Sequence, residues 1–259
     1  MLLTLLTDFG TTDYYVAAVK GTVLRLAPGA VIVDVSHEVP PGEVETAAFL
    51  LGAAAPAFPD GTVHLAVVDP GVGSARRILA ARAGKALFVA PDNGLLTPFL
   101  EEITAGAEVR SVERRELFLE GPGRTFHGRD RFAPVAAWLL RGEGLDGLGP
   151  EIGDPVRLPA SPPEREAGRV RGRVIHIDRY GNLVTDIPAG WLPAGPCQAE
   201  VGGHAASRRA GWYAEIPPDE AAMLPGSLGT VELSLNGDDL ARRWRISRGA
   251  RVEITWNGS

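Results

Sequence analysis

His64-Leu65-Ala66-Val67-Val68-Asp69-Pro70-Gly71-Val72-Gly73-Ser74-Ala75-Arg76-Arg77 splits into an apolar run and a polar, glycine-rich loop. The run from His64 to Val68 is nearly all apolar and partly β-branched, which suits a strand buried on both faces. It stops at Asp69-Pro70-Gly71, a carboxylate followed by two strong turn residues. An acid at the carboxyl end of a buried strand is where open α/β sheets place ligands. Seven residues after Asp69 comes Arg76, and a loop of that length can fold its arginine back toward the acid. A capped turn with a surface arginine pair would read the same in isolation, so the neighbouring segments must arbitrate.

Upstream, Leu2 to Leu6 reads as a first strand ending at Thr7-Asp8-Phe9-Gly10. Asp13 to Leu26 suits a helix closed by Pro28-Gly29. Val31 to Val35 reads as a second buried strand ending at Ser36-His37, and Glu43 to Ala55 as a helix after Pro40-Pro41-Gly42. Downstream, Ile78 to Arg82 and Ala86 to Ala90 are two more short strands. The second ends at Pro91-Asp92-Asn93-Gly94, before the helical pattern Leu95 to Glu102. Strand–helix alternation predicts an α/β fold with a mainly parallel sheet and helices on both faces. Asp8, Asp69 and Asp92 then fall at strand ends on one edge, where three polar caps would make a site.

Arg129 to Leu140 is a further helical stretch, introduced by Thr125-Phe126-His127-Gly128. Composition changes at Leu158 to Gly168, which reads as an exposed linker. Beyond it come short alternating runs: Val170 to Ile177, Leu183 to Ile187, Trp212 to Ile216, Thr230 to Leu235 and Arg251 to Trp256. These predict a small antiparallel sheet or β-barrel. The expected domains are therefore residues 1–160 (α/β) and 168–259 (barrel).

The chain has 259 residues, enough for a substantial core, and its net charge of −6 argues against nucleic acid as the main partner. One cysteine, Cys197, excludes an intrachain disulfide and fits a reducing, cytoplasmic setting. The apolar start lacks a basic region and is cut short by Asp8, so it reads as a strand and not a signal peptide. Ala47 to Phe58, the longest apolar stretch, is too short to span a bilayer. Scarce Asn, Gln, Met and Cys hint at a thermophilic source.

Several signatures can be set aside. Gly71-Val72-Gly73 lacks the third glycine and following helix of a dinucleotide fingerprint, and there is no P-loop. Asp8-Phe9-Gly10 matches a kinase motif in three letters only. The histidines show no metal-ligand spacing, and no GxSxG elbow occurs. What remains is an acid and an arginine on one loop and a histidine on another: Asp69, Arg76 and His127. Gly128, beside His127, lets a ligand approach the backbone closely. His37, His64, His176 and His204 read as structural.

Asp69-Pro70-Gly71-Val72-Gly73 with Arg76-Arg77, and Thr125-Phe126-His127-Gly128-Arg129-Asp130 with Phe132-Ala133-Pro134, closely resemble the S-adenosylmethionine hydroxide adenosyltransferases. These are the hydrolase branch of the fluorinase and chlorinase superfamily. The resemblance extends through Thr7-Asp8-Phe9-Gly10, Ser36-His37-Glu38-Val39-Pro40-Pro41, Ala90-Pro91-Asp92-Asn93-Gly94-Leu95 and Ile177-Asp178-Arg179-Tyr180-Gly181-Asn182. It thus runs through both expected domains in order.

The resemblance implies hydrolysis of S-adenosylmethionine to adenosine and methionine without metal or cofactor, in a homotrimer whose sites lie between subunits. It implies Asp69, Arg76 and His127 as the set that activates water, with either Asp69 or His127 taking the proton. By the same resemblance Asp8 binds the ribose hydroxyls, Asn182 the adenine edge and Tyr213 its face, Asp178 the methionine amine and Ser227 the carboxylate. Leu228 departs from the polar residue many relatives carry, and Trp191 and Trp212 read as packing residues. The alternatives are halide transfer, against which Asp69 and His127 argue, and non-catalytic binding of adenosine or adenosylmethionine.

Overall fold

A computed structural model describes residues 1–100, 108–120, 123 and 125–256. The chain divides into two compact units, Met1–Pro159 and Ala160–Ser259.

The first unit is a six-stranded sheet, β1 (Leu2–Thr7), β2 (Val31–Ser36), β3 (Val63–Val67), β4 (Ile78–Ala83), β5 (Ala86–Pro91) and β6 (Glu108–Ser111), in the order β2-β1-β3-β5-β4-β6. β2, β1, β3 and β5 are parallel, whereas β4 runs antiparallel to β5 and β6. Every residue of β3 is buried, because side chains alternate between two cores. Leu65 and Val67 pack with α1 (Tyr15–Leu26) and α3 (Ala133–Leu140), while Ala66 and Val68 pack with α2 (Val44–Ala54). The doubly covered parallel sheet is thus the expected one.

Parallelism brings the carboxyl ends of β1, β3 and β5, and with them Asp8, Asp69 and Asp92, to one edge. His64, on β3, faces the α2 side. It is 1% exposed, its Nδ1 lies 2.7 Å from Thr4 Oγ1, and its ring stacks on Phe88.

Some expectations are corrected. The strand Val31 to Val35 is not buried within this chain: β2 lies at the sheet edge, and Val31 and Val33 are exposed. An apolar run does not distinguish an edge from a centre. Within Leu95 to Glu102, Thr97–Phe99 is a 3-10 turn with Pro98 near its start; Glu101 and Glu102 lie outside the described residues. The helix from Arg129 opens with a π-helical turn, Gly128–Phe132, before α3.

In the second unit, β7 (Glu164–Glu166), β8 (Arg169–Ile177), β9 (Leu183–Pro188), β10 (Gln198–Val201), β11 (His204–Ala206), β12 (Arg208–Arg209), β13 (Ala221–Pro225), β14 (Thr230–Leu235) and β15 (Arg251–Thr255) form a nearly closed barrel around one apolar core. β11 and β12 are one chain segment interrupted at Ser207. Its first half pairs with β10 and its second with β13, which carries the sheet round. The expected linker is half wrong, since Glu164–Glu166 pairs antiparallel with β8 around a turn at Gly168. Trp212 to Ile216 is not a strand but contains a 3-10 turn, Tyr213–Glu215; Pro217-Pro218 follow and deny it a ladder. A short helix, α4 (Leu240–Trp244), is capped by the Asp239 side chain accepting from Arg242 N.

Candidate active site

The loop after β3 returns as its length allows. Arg76 Nε donates to Asp69 Oδ1 and Oδ2, each at 2.9 Å, and Nη2 also reaches Oδ2. Both side chains are buried, 9% and 6% exposed, so neither charge could be there unpaired. The same Nη2 lies 2.9 Å from His127 Nδ1, and the guanidinium sits over the Phe132 ring. An arginine cannot accept a hydrogen bond, so His127 Nδ1 accepts and the imidazole hydrogen is assigned to Nε2. His127 stands at the mouth of the π-helical turn, a distortion common at functional sites.

Arg77, next in sequence, points elsewhere: it holds Asp92 and Asp154. Asp92 Oδ1 also accepts from Val156 N. The third acid on the edge is therefore a structural tie and not part of the set.

Asp8 joins Asp69 and His127 in lining a cavity of about 300 Å³ with Phe9, Tyr15 and Gly128. Its Oδ2 accepts from Gly42 N at 2.8 Å. Burial pushes the Asp8 carboxyl above its ordinary pKa and the Asp69 charge adds to this, while the Gly42 N–H works against it. Gly128 leaves room as expected, but what occupies the room is protein: a Cβ there would meet the Phe9 ring at 3.1 Å. The cavity rim is aromatic, with Tyr15 5.1 Å from Phe126, Phe9 6.0 Å from Phe126 and Tyr14 4.7 Å from Tyr15 between ring centres. Sequence reasoning missed this rim; the pair Tyr14-Tyr15 at a helix start was its available signal.

The remaining expected residues lie on the second unit. Asp178 accepts from Tyr180 N, Asn182 N and Asn182 Nδ2, all at 2.9 Å, so Asn182 is locked by the acid. Tyr213 donates to Glu232 Oε1 at 2.5 Å, and Ser234 Oγ donates to the same oxygen at 3.0 Å. That bond, with burial, pushes the Tyr213 hydroxyl well above its ordinary pKa. Glu232, a buried acid on β14, was not singled out from sequence, where it passes for one position of an alternating strand. Ser227 and Leu228 are exposed on the turn between β13 and β14, and Gly226 leans on the Glu232 carboxylate. Trp191 packs on the barrel core as expected, but Trp212 is 74% exposed within this chain and packs no core.

A larger concavity, about 810 Å³, lies on the second unit over β8 and β15. Arg171 pairs there with Glu253 and Arg173 with Asp186. None of the motif residues lines it, so the smaller cavity is the candidate site. Among the described residues no group of three or more His, Cys, Asp or Glu is placed to hold a metal, and no helix is long and apolar enough to cross a membrane.

Residues 3–149 match the family model of the SAM hydroxide adenosyltransferase N-terminal domain, and residues 172–253 that of its C-terminal domain. The chain belongs to this family. Relatives named (R)-S-adenosyl-L-methionine hydrolase include one from Salinispora tropica, 37% identical over 252 residues, covering 96% of this chain and 95% of the relative. One from Thermus thermophilus is 38% identical, with coverage of 96% and 97%. A fluorinase from Actinoplanes sp. is more distant, 32% identical over 72% of this chain and 71% of its own. A solved structure of an uncharacterised conserved protein from Thermotoga maritima superposes with a TM-score of 0.91 at 36% identity, covering 99% of this chain and all of that one.

Proposed function

We propose that this SAM hydroxide adenosyltransferase family member hydrolyses S-adenosyl-L-methionine to adenosine and L-methionine, and that Asp69, Arg76 and His127 activate the water. The observation that carries the reading is their hydrogen-bonded continuity beside a cavity that Asp8 also lines. Water oxygen bonds to C5′ of the ribose as the C5′–S bond breaks, and the bond pair stays on sulfur. The sulfonium leaves as a neutral thioether, so no general acid is required.

What the reaction needs is a hydroxide-like nucleophile held in line and a sink for its proton. With His127 Nδ1 taken by Arg76, His127 presents an N–H to orient the water, and the proton passes to Asp69. The guanidinium charge favours the developing hydroxide. Asp8 accepts from the ribose hydroxyls, while Asn182 and Tyr213 contact the adenine, and Asp178 and Ser227 the methionine end. The aromatic rim suits a flat base and a sulfonium cation. We place the reaction in the cytoplasm, without metal or cofactor, in a homotrimer where a neighbouring subunit's second unit completes each site.

Incubation with adenosylmethionine in ¹⁸O-water, with and without halide, tests the reaction. Adenosine carrying the label at its 5′ oxygen is expected; a 5′-halogenated nucleoside, or no turnover, would overturn it. Asp69→Ala and His127→Ala should each lose roughly 10²-fold in turnover with ligand affinity within a few-fold. Calorimetry showing lost binding with unchanged turnover of bound substrate would remove them from the water site.

A further inference from the structure

Thr7, His37 and Asp34 form a series that looks like a nucleophile, an imidazole and a carboxylate. Thr7 Oγ1 lies 2.8 Å from His37 Nδ1, and His37 Nε2 lies 3.0 Å from Asp34 Oδ1. Lys20 Nζ donates to Asp34 Oδ2 at 2.6 Å. Yet Thr7 is 0% exposed and His37 is 6% exposed, so no substrate reaches the hydroxyl. A hydrolytic triad is excluded.

What the series holds is the backbone that carries Asp8. Nε2 faces a carboxylate and is assigned the imidazole hydrogen, although its approach to Asp34 at 3.0 Å is off the hydrogen-bond axis. Nδ1 is then an acceptor and the Thr7 hydroxyl donates to it. The Thr7 oxygen in turn accepts from Phe9 N at 3.3 Å. On the far side of Asp8, the His37 carbonyl accepts from Gly10 N at 2.8 Å. Both flanks of Asp8 are thus tied to one residue, and the same loop supplies Gly42 N to the Asp8 carboxylate.

We infer that His37 is a positioning residue for Asp8, gripping the Thr7–Gly10 turn so that the carboxylate enters the cavity aimed at two adjacent ligand hydroxyls. This rests on the proposed ribose-binding role of Asp8. An aspartate has only two side-chain torsions, so its direction is set by its backbone. Bidentate contact with a vicinal diol tolerates little misplacement.

The test is a double-mutant cycle read by calorimetry with adenosine and 2′,3′-dideoxyadenosine on the full chain. Two charged hydrogen bonds should give the wild type a preference for adenosine of roughly 10²-fold or more. His37→Ala is expected to cut that preference about tenfold while leaving dideoxyadenosine affinity within about threefold, because only the aim of Asp8 changes. His37→Asn, whose amide oxygen overlays Nδ1, should restore most of it. Thr7→Val, nearly isosteric in a buried position, should reproduce the loss and carries the test should His37→Ala not fold.

In an Asp8→Asn background His37→Ala should change nothing further. Equal weakening of both nucleosides, or an undiminished His37 effect in that background, would overturn the inference. If Asp8→Asn alone left the preference intact, the ribose assignment would fall and this inference with it. If Asp8→Asn abolished the preference while His37 stayed additive, the positioning role alone would fall.

Discussion

Acidification should loosen the first unit through His64, and His64→Phe should remove that sensitivity. The imidazole is 1% exposed on β3, and burial holds its pKa down to about 4. Its Nδ1 is matched to Thr4, but Nε2 is buried without a hydrogen-bond partner, so a second ring proton has nowhere to go. The unfolded chain binds that proton near the ordinary pKa of about 6.5. Below this value the unfolded state therefore holds more protons than the folded one, and stability falls with pH until the folded histidine titrates near 4. Two pH units of this window, at about 1.4 kcal/mol per unit, amount to roughly 2–3 kcal/mol.

Urea unfolding at pH 7 and pH 4.5 reads the effect. Phenylalanine fits the stack on Phe88 but strands the Thr4 hydroxyl, a cost that does not vary with pH; Thr4→Val in the same chain relieves it. The wild type should lose about 2–3 kcal/mol more than the variant between the two pH values. An equal loss in both would show that His64 titrates freely in the folded chain, and the burial argument would be refuted.

Two further outcomes are expected. Gly181 has φ +82°, and a Cβ there would come within 2.7 Å of Asp239 Cα, so Gly181→Ala should cost about 2 kcal/mol or more in thermal or urea unfolding; an unchanged midpoint would show that the Asp178–Asn182 turn yields easily. Mixing inactive Asp69→Ala and Asn182→Ala chains, followed by subunit exchange, should recover activity if sites are shared between subunits, and no recovery despite mixed oligomers by native mass spectrometry would rule sharing out.

Much of the site was legible because its chemistry is local. Asp69 and Arg76 are joined by a loop too short to take the arginine far away, and the arginine does return. His127 carries a recognisable run of neighbours. The aromatic rim was harder to read, since Phe9 and Phe126 come from two separate loops and Tyr15 from the start of α1, and only the Tyr14-Tyr15 pair stands out in the sequence. Glu232 was missed for a related reason: its partner Tyr213 is brought to it by the barrel and not by sequence spacing. β2 was misjudged because composition reports how apolar a strand is, not how many neighbours it has. Trp212 to Ile216 shows the limit for short runs, where the presence of a pairing partner decides between strand and turn.

The π-helical turn at Gly128–Phe132 separates two demands that a regular helix would tie together. Downstream, α3 must keep its apolar face on the sheet, which sets its rotation. Upstream, His127 must meet Arg76. Because one residue advances an α-helix by about 100°, an α-helical version of this turn would satisfy the packing and swing His127 away from the guanidinium. The wider turn acts as a phase shifter, letting the direction of His127 and the core packing be set independently. A single-residue deletion inside it would leave every named site residue present and the set disassembled.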